Sequence, residues 1–225
     1  MLGALLPHVE VVVGNYYHAF DPRTVDSFTG ALLDDATFVV CDEAHMLEPR
    51  VRDLVSDGVA DATLRDAESE LTRAIQPVEI DSESGDGALV RGELEESDVT
   101  LSELKETRAF VRDLREELDR QVRAHLDRKH PSWRTAMDDL PDAEIPLRDP
   151  ETPEPDAITE WARGEYGDDV WVRAETVGAV VARVLNELEE EDRERAAPTA
   201  GRVLGAWYRA DHGRYFRSID CSRTW

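Results

Sequence analysis

Lysine is almost missing from this chain. Of 225 residues only Lys105 and Lys129 carry an ammonium group, so nearly all the positive charge is arginine. Neither lysine follows a glycine, which excludes the phosphate-cradling loop G-x-x-x-x-G-K-[ST], in which the lysine reaches the phosphates and the hydroxyl reaches Mg²⁺. Cysteine is as scarce. Cys41 and Cys221 stand far apart without C-x-x-C spacing, which gives neither a zinc site nor a redox motif and suits a reducing cytoplasm. The opening residues, MLGALLPHVEVVVG, are apolar but lack a basic flank, are broken by Pro7 and contain His8 and Glu10. They read as neither a signal peptide nor a membrane span, and a cytoplasmic location is expected.

Acid is what the chain has in excess. Fifty acidic residues stand against 26 basic ones, a formal charge of -24. Heavy acid with scarce lysine is expected of a cytoplasmic protein from a salt-loving organism, where ions screen the self-repulsion. The length suffices for one or two domains and a substantial core.

The first sixty residues differ from the rest. Val9–Val13 and Phe38–Cys41 are short apolar runs, and Thr24–Leu33 between them can hold one helix. Strand, crossover and strand make a βαβ unit with parallel strands, and strands apolar throughout belong in a sheet covered on both faces. After Pro49 the periodicity becomes helical. Leu64, Ala67, Leu71 and Ala74 share one face. So do Leu104, Val111, Leu114, Leu118, Val122 and Leu126, and so do Val177, Val180, Val181, Val184, Leu185 and Leu188. These stripes predict helix–helix core. Residues 80–93 and 140–156, rich in acid, glycine or proline, predict solvated loops, and the weakly alternating end predicts a strand returning toward the sheet. The expected fold is therefore an α/β fragment with parallel strands, carrying a mostly helical insertion.

The stretch TFVVCDEAHML carries the chemistry. In open parallel sheets ligands gather at the carboxyl ends of strands. Asp42 there can hold Mg²⁺ through its water shell, and Glu43 can orient and deprotonate a water attacking a terminal phosphoryl group. His45, one turn on, can report the state of the phosphate through a hydrogen bond. The bland alternative is that both acids merely begin a helix, which leaves the histidine and the preceding apolar run unexplained.

On these residues VVCDEAH resembles the Walker B, or DEAH, motif of superfamily 2 helicases. VEVVVGNYYHAFDP, ahead of it, resembles the iron–sulfur helicases of the XPD and DinG group, with Asn15, Tyr16, Tyr17 and His18 at the matching positions. The resemblance implies that residues 1–58 are part of a RecA-like first motor domain, that 59–212 are a helical Arch-like domain, and that 213–225 return toward the motor. It implies ATP and Mg²⁺ as ligands, single-stranded DNA as a partner, and unwinding in the 5′ to 3′ direction in DNA repair. Asn15, Tyr16 and Tyr17 then line the DNA path, with stacking as their contribution; local packing at a strand end is the competing role. The group's iron–sulfur cluster needs four cysteines, so its ligands are expected upstream and not in this chain. The P-loop and the second motor domain are likewise expected in the remainder of the helicase motor, leaving an enzyme label for the chain alone uncertain.

Two other classes remain. One is a truncated paralogue acting alone as a non-catalytic binding or regulatory module; the other is an unrelated magnesium phosphohydrolase, which lacks a further acid or lysine near a strand end. Trp133 and Trp161, beside loops, can stack on bases or anchor those loops. Arg108, Arg112 and Arg115 more naturally form a charge network with Glu116, Glu117 and Asp119, while Arg23, Arg50 and Arg52 lie close to the motifs. The Gly-Arg at 201 and 202 lacks the context of an arginine finger and reads as ordinary amphipathic helix.

Overall fold

The computed structural model describes residues 8, 11–21, 24–81, 83, 85–135, 142–148, 151, 154–189, 193–210 and 215–221. It divides into two compact units, Met1–Gly58 and Val59–Trp225.

The first unit is built from short turns of helix. Helix α1 spans Tyr16–Phe20, a π turn spans Val25–Thr29, 3₁₀ turns span Gly30–Leu32 and Ala44–Met46, and α2 spans Leu47–Val55. Asp21 bends the chain out of α1, its Oδ2 accepting from the Thr24 N–H at 3.2 Å and the Thr24 hydroxyl at 2.5 Å. The helix expected over 24–33 is thus a π turn followed by a 3₁₀ turn. Gly30 explains the wide closure: its N–H donates to the Val25 carbonyl, and a Cβ at this position would meet that same oxygen at 2.7 Å. Helix α1 packs against both the π turn and α2.

The two apolar runs of this unit form no strand among the described residues, Val9 and Glu10 lying outside them. Val13 is 94% exposed, and Phe38 and Val40 are 94% and 93% exposed. A strand with apolar side chains on both faces needs hydrogen-bonding neighbours along its edges and cover above and below. Here the described residues supply neither, and the sole buried residue among them in the first unit is Thr29.

The second unit has a true core. Helices α3 (Asp61–Ile80), α4 (Gly85–Glu96), α5 (Leu101–Lys129), α6 (Ala157–Glu165), α7 (Val170–Leu188) and α8 (Ala196–Arg209) surround it, with strands β1 (Ala143–Pro146) and β2 (Ser218–Cys221). The three predicted stripes supply much of the core: Leu64, Leu71, Leu104, Leu114, Val177, Val181 and Leu185 are all buried. Burying each such side chain stabilises the fold by about 1.5–3 kcal/mol. Helix α5 opens on a reciprocal cap, in which the Glu103 N–H donates to the Thr100 hydroxyl at 3.2 Å and the Thr100 N–H donates to the Glu103 carboxylate at 2.7 Å.

Helices α7 and α8 form the closest pair. A Cβ on Gly178 would sit 2.5 Å from the Ala197 carbonyl oxygen, and one on Gly201 would sit 2.4 Å from that of Ala174. The two backbones meet where only hydrogen fits. The segment 80–93, expected as a loop, is largely α4. Its acid and glycine content suggested a turn, yet Val90 and Leu94 sit four residues apart and both are buried against the core.

Residues 140–156 contain β1, which pairs antiparallel with β2 in the register Ala143↔Cys221 to Pro146↔Ser218. The terminal strand, expected to return to a parallel sheet, is therefore paired inside the helical unit; 211–214 and 222–225 lie outside the described residues. It is held there by Arg217, buried with Asp156 at 3.4 Å. Asp156 caps α6 through the Thr159 N–H at 2.9 Å, and the Thr159 hydroxyl accepts from Trp207 Nε1 at 2.9 Å.

Candidate functional site

After the exposed run Phe38–Val40 the chain reaches Asp42, whose Oδ1 accepts the N–H of Glu43 at 2.9 Å. Glu43 then turns left-handed, with φ 49° and ψ 47°. A non-glycine residue there carries a cost of roughly 1–2 kcal/mol, so something must hold it. Part of the answer is local: the Glu43 carbonyl accepts the Met46 N–H at 2.8 Å and closes the 3₁₀ turn Ala44–Met46.

The rest comes from the other motif. The Tyr16 hydroxyl donates to the Asp42 carbonyl at 2.5 Å and lies 3.3 Å from that of Glu43. Its ring lies 6.2 Å from that of Phe20. Tyr16 is itself placed by the start of α1, where the Asn15 N–H faces His18 Nδ1 at 3.3 Å and Asn15 Oδ1 lies 2.8 Å from the same nitrogen. The His18 carbonyl accepts the hydroxyl of buried Thr29 at 2.5 Å. Two stretches singled out separately in the sequence, NYYH and DEAH, thus meet through one phenol.

The other expected residues are less engaged. Asp42, Glu43, His45 and Tyr17 are exposed, and Tyr17 contributes its carbonyl to the Asp21 N–H at 3.2 Å. Among the described residues no group of three or more His, Cys, Asp or Glu side chains could hold a metal ion. Mg²⁺ keeps several waters and uses one or two carboxylates together with substrate phosphates, and the carboxylates this turn exposes are those of Asp42, whose Oδ1 already accepts the Glu43 N–H, and Glu43. Asp42 can serve that contact; a cradle for the phosphates is not in this sequence. Arg52 pairs with Glu48 at 2.7 Å on the surface of α2. Arg23 lies outside the described residues.

Thr29 and Gly30 were not visible as site residues in the sequence. A buried threonine that fixes a carbonyl eleven residues back has no local signature, and the glycine is explained only by the π closure.

The arginines and tryptophans of the second unit sort themselves. Arg115 reaches across to α3, pairing with Asp61 at 2.9 Å and Glu68 at 3.1 Å, while Arg112 pairs with neighbouring Asp113 at 2.8 Å. Trp161 joins an aromatic group with Phe110 and Tyr166 at centroid distances of 6.3 and 6.0 Å. Trp133 stays outside that group and donates Nε1 to Asp127 at 2.9 Å. No helix among the described residues is long and apolar enough to cross a membrane.

No family model, curated protein or solved structure matches the chain.

Proposed function

We propose that the chain supplies the Walker B element of an ATP-dependent DNA helicase of the XPD and DinG type, joined to an Arch-like helical domain. The observation that carries this is the tie between the motifs: the NYYH phenol of Tyr16 holds the main chain of the acid pair Asp42 and Glu43. Asp42 takes Mg²⁺ through its waters, and the ion supplies charge neutralisation at the phosphates. Glu43 accepts the proton of the attacking water. Its left-handed backbone sets where that carboxylate leaves the chain, and the Tyr16 contact keeps the setting. His45 passes the state of the site to the DNA-handling surface by hydrogen bonding.

The exposed apolar runs support the same view. Val11–Val13 and Phe38–Val40 are β-branched or aromatic and face solvent, as strands do when the sheet that should flank them is contributed from elsewhere. The phosphate cradle belongs to that same missing partner.

The test is Glu43→Gln in a protein that carries the P-loop together with this segment. ATP turnover is expected to fall to background while nucleotide binding persists; retained turnover removes Glu43 from its role.

A further inference from the structure

We propose that the free end of α5 and the turn after it form a landing site for single-stranded nucleic acid. The helix runs 29 residues, but its buried positions stop at Glu117. No described residue from Leu118 to Thr135 is buried. Its second half keeps Leu118, Val122 and Leu126 only half-buried and leaves its arginines and Lys129 exposed, a charged face open to a partner.

Charge says which kind. Between Leu118 and Thr135, Arg120, Arg123, Arg128, Lys129 and Arg134 stand against Asp119 and Asp127, a formal +3 in a chain of -24. Arg120, Arg123 and Arg134 are engaged by carboxylates. Arg128 and Lys129, one of only two lysines in the chain, pair with no carboxylate among the described residues. The rest of the molecule repels a polyanion, so an approaching strand is directed to this end. The positive field is felt locally: the His125 imidazolium is disfavoured first by partial burial and then by Arg128, Lys129 and His130.

The adjoining turn adds a flat surface. Asp127 accepts from Trp133 Nε1 at 2.9 Å and from Arg134 Nη1 at 2.6 Å. The Arg134 guanidinium lies 4.6 Å from the centroid of the Trp133 ring. One carboxylate therefore organises an indole and a guanidinium next to Arg128 and Lys129, which pair with no carboxylate among the described residues. An acidic protein surface would be served by the cations alone, whereas a base also uses the ring, and stacking survives in salt that screens phosphate contacts. The choice of nucleic acid rests on the proposed function; the place on the molecule does not.

The test uses the full chain and a fluorescein-labelled oligothymidylate of about 20 nucleotides, read by anisotropy from ~0.1 to ~2 M KCl. Arg128→Gln with Lys129→Gln is expected to weaken binding about tenfold and to lower the salt slope by about 1.4, roughly 0.7 for each phosphate contact removed. Trp133→Ala is expected to weaken binding about tenfold and to keep the slope. Circular dichroism checks that the helices persist in each variant. Wild-type chain that binds no oligonucleotide overturns the proposal, as does binding indifferent to all three substitutions. Polyglutamate bound as tightly as oligothymidylate, with Trp133→Ala affecting neither, makes the partner an acidic protein and also overturns it. Binding lost only on Tyr17→Ala places the DNA contact in the first unit, which overturns this site and leaves the helicase proposal standing.

Discussion

The Tyr16 hydroxyl donates to the Asp42 carbonyl at 2.5 Å, across 26 residues of chain. The bond falls on the peptide that leads into a left-handed glutamate, the backbone in this unit that most needs holding. A tyrosine at this place is then a positioning residue for the main chain of the acid pair.

Tyr16→Phe keeps the ring beside Phe20 and removes only the donor. A net hydrogen bond contributes about 0.5–1.5 kcal/mol, so the turn should open several-fold more often. The readout is amide hydrogen exchange at Met46, whose N–H is bonded to the Glu43 carbonyl at 2.8 Å. Exchange about threefold to tenfold faster is expected; an unchanged rate would mean that Glu43 holds its conformation without the phenol.

The α7 and α8 pair gives a sharper stability test. Gly201→Ala pushes a methyl to 2.4 Å from the Ala174 carbonyl oxygen, a main-chain atom that cannot swing aside. Overpacking of this kind costs about 1–3 kcal/mol, equivalent to a fall in Tm of about 2–4 °C for each kcal/mol in a unit of this size. Gly92→Ala in α4 is the internal control, because a Cβ there meets nothing within 4 Å. It should raise Tm slightly, since alanine is about 0.8–1.0 kcal/mol better than glycine in a helix. If both substitutions move Tm in the same direction, close approach is not what distinguishes them.

These glycines also mark what could be read from the sequence. The stripes of α3 and α7, and that of α5 as far as Leu114, announce themselves because burial on one face repeats at helical spacing, and Leu64, Leu114 and Val181 are core; Leu118, Val122 and Leu126 continue the α5 stripe but are only half-buried. Helix α4 was hidden because Gly85, Asp86 and Gly87 look like a turn, although Gly87 is required by the approach of the Asp81 carbonyl. The acid pair and the tyrosine were visible as residue types in order. Their hydrogen bond was not, since nothing in NYYH says which ring will turn toward residue 42. The runs at Val11–Val13 and Phe38–Val40 carry strand composition without strand pairing. Composition reports what a segment would bury, and pairing depends on neighbours.

The buried pair of Arg217 and Asp156 holds β2 to the start of α6. Arg217→Met leaves the Asp156 carboxylate buried with one cation fewer, and breaking such a pair costs about 3–5 kcal/mol. Adding Asp156→Asn should recover part of the loss, because asparagine still caps the helix through the Thr159 N–H and brings no charge. Chemical denaturation of the single and double variants measures this. A double variant less stable than Arg217→Met alone would show that Asp156 acts mainly through other partners.

Salt and acid should act on the chain in opposition. Asp61 is held below the ordinary carboxylate range by its hydrogen bond from Arg115, Glu103 by the Thr100 N–H and Glu189 by Arg195. A carboxylate with a depressed folded pKa adds stability above its unfolded value. That stability begins to fall near the unfolded values of about 3.9 for aspartate and 4.3 for glutamate, and is gone once pH passes below the folded ones. The formal charge of -24 pulls the other way, because protonating exposed acids relieves self-repulsion. At about 2 M KCl the screening length is only a few ångströms, so repulsion drops out and the paired carboxylates decide. Thermal unfolding there should show a steady loss of Tm on acidification below about pH 5. At ~0.05 M KCl the repulsion is screened far less, so Tm at neutral pH should be lower and should first rise as the pH is brought down. The same profile at both salt concentrations would mean that the acidic surface is not a determinant of stability.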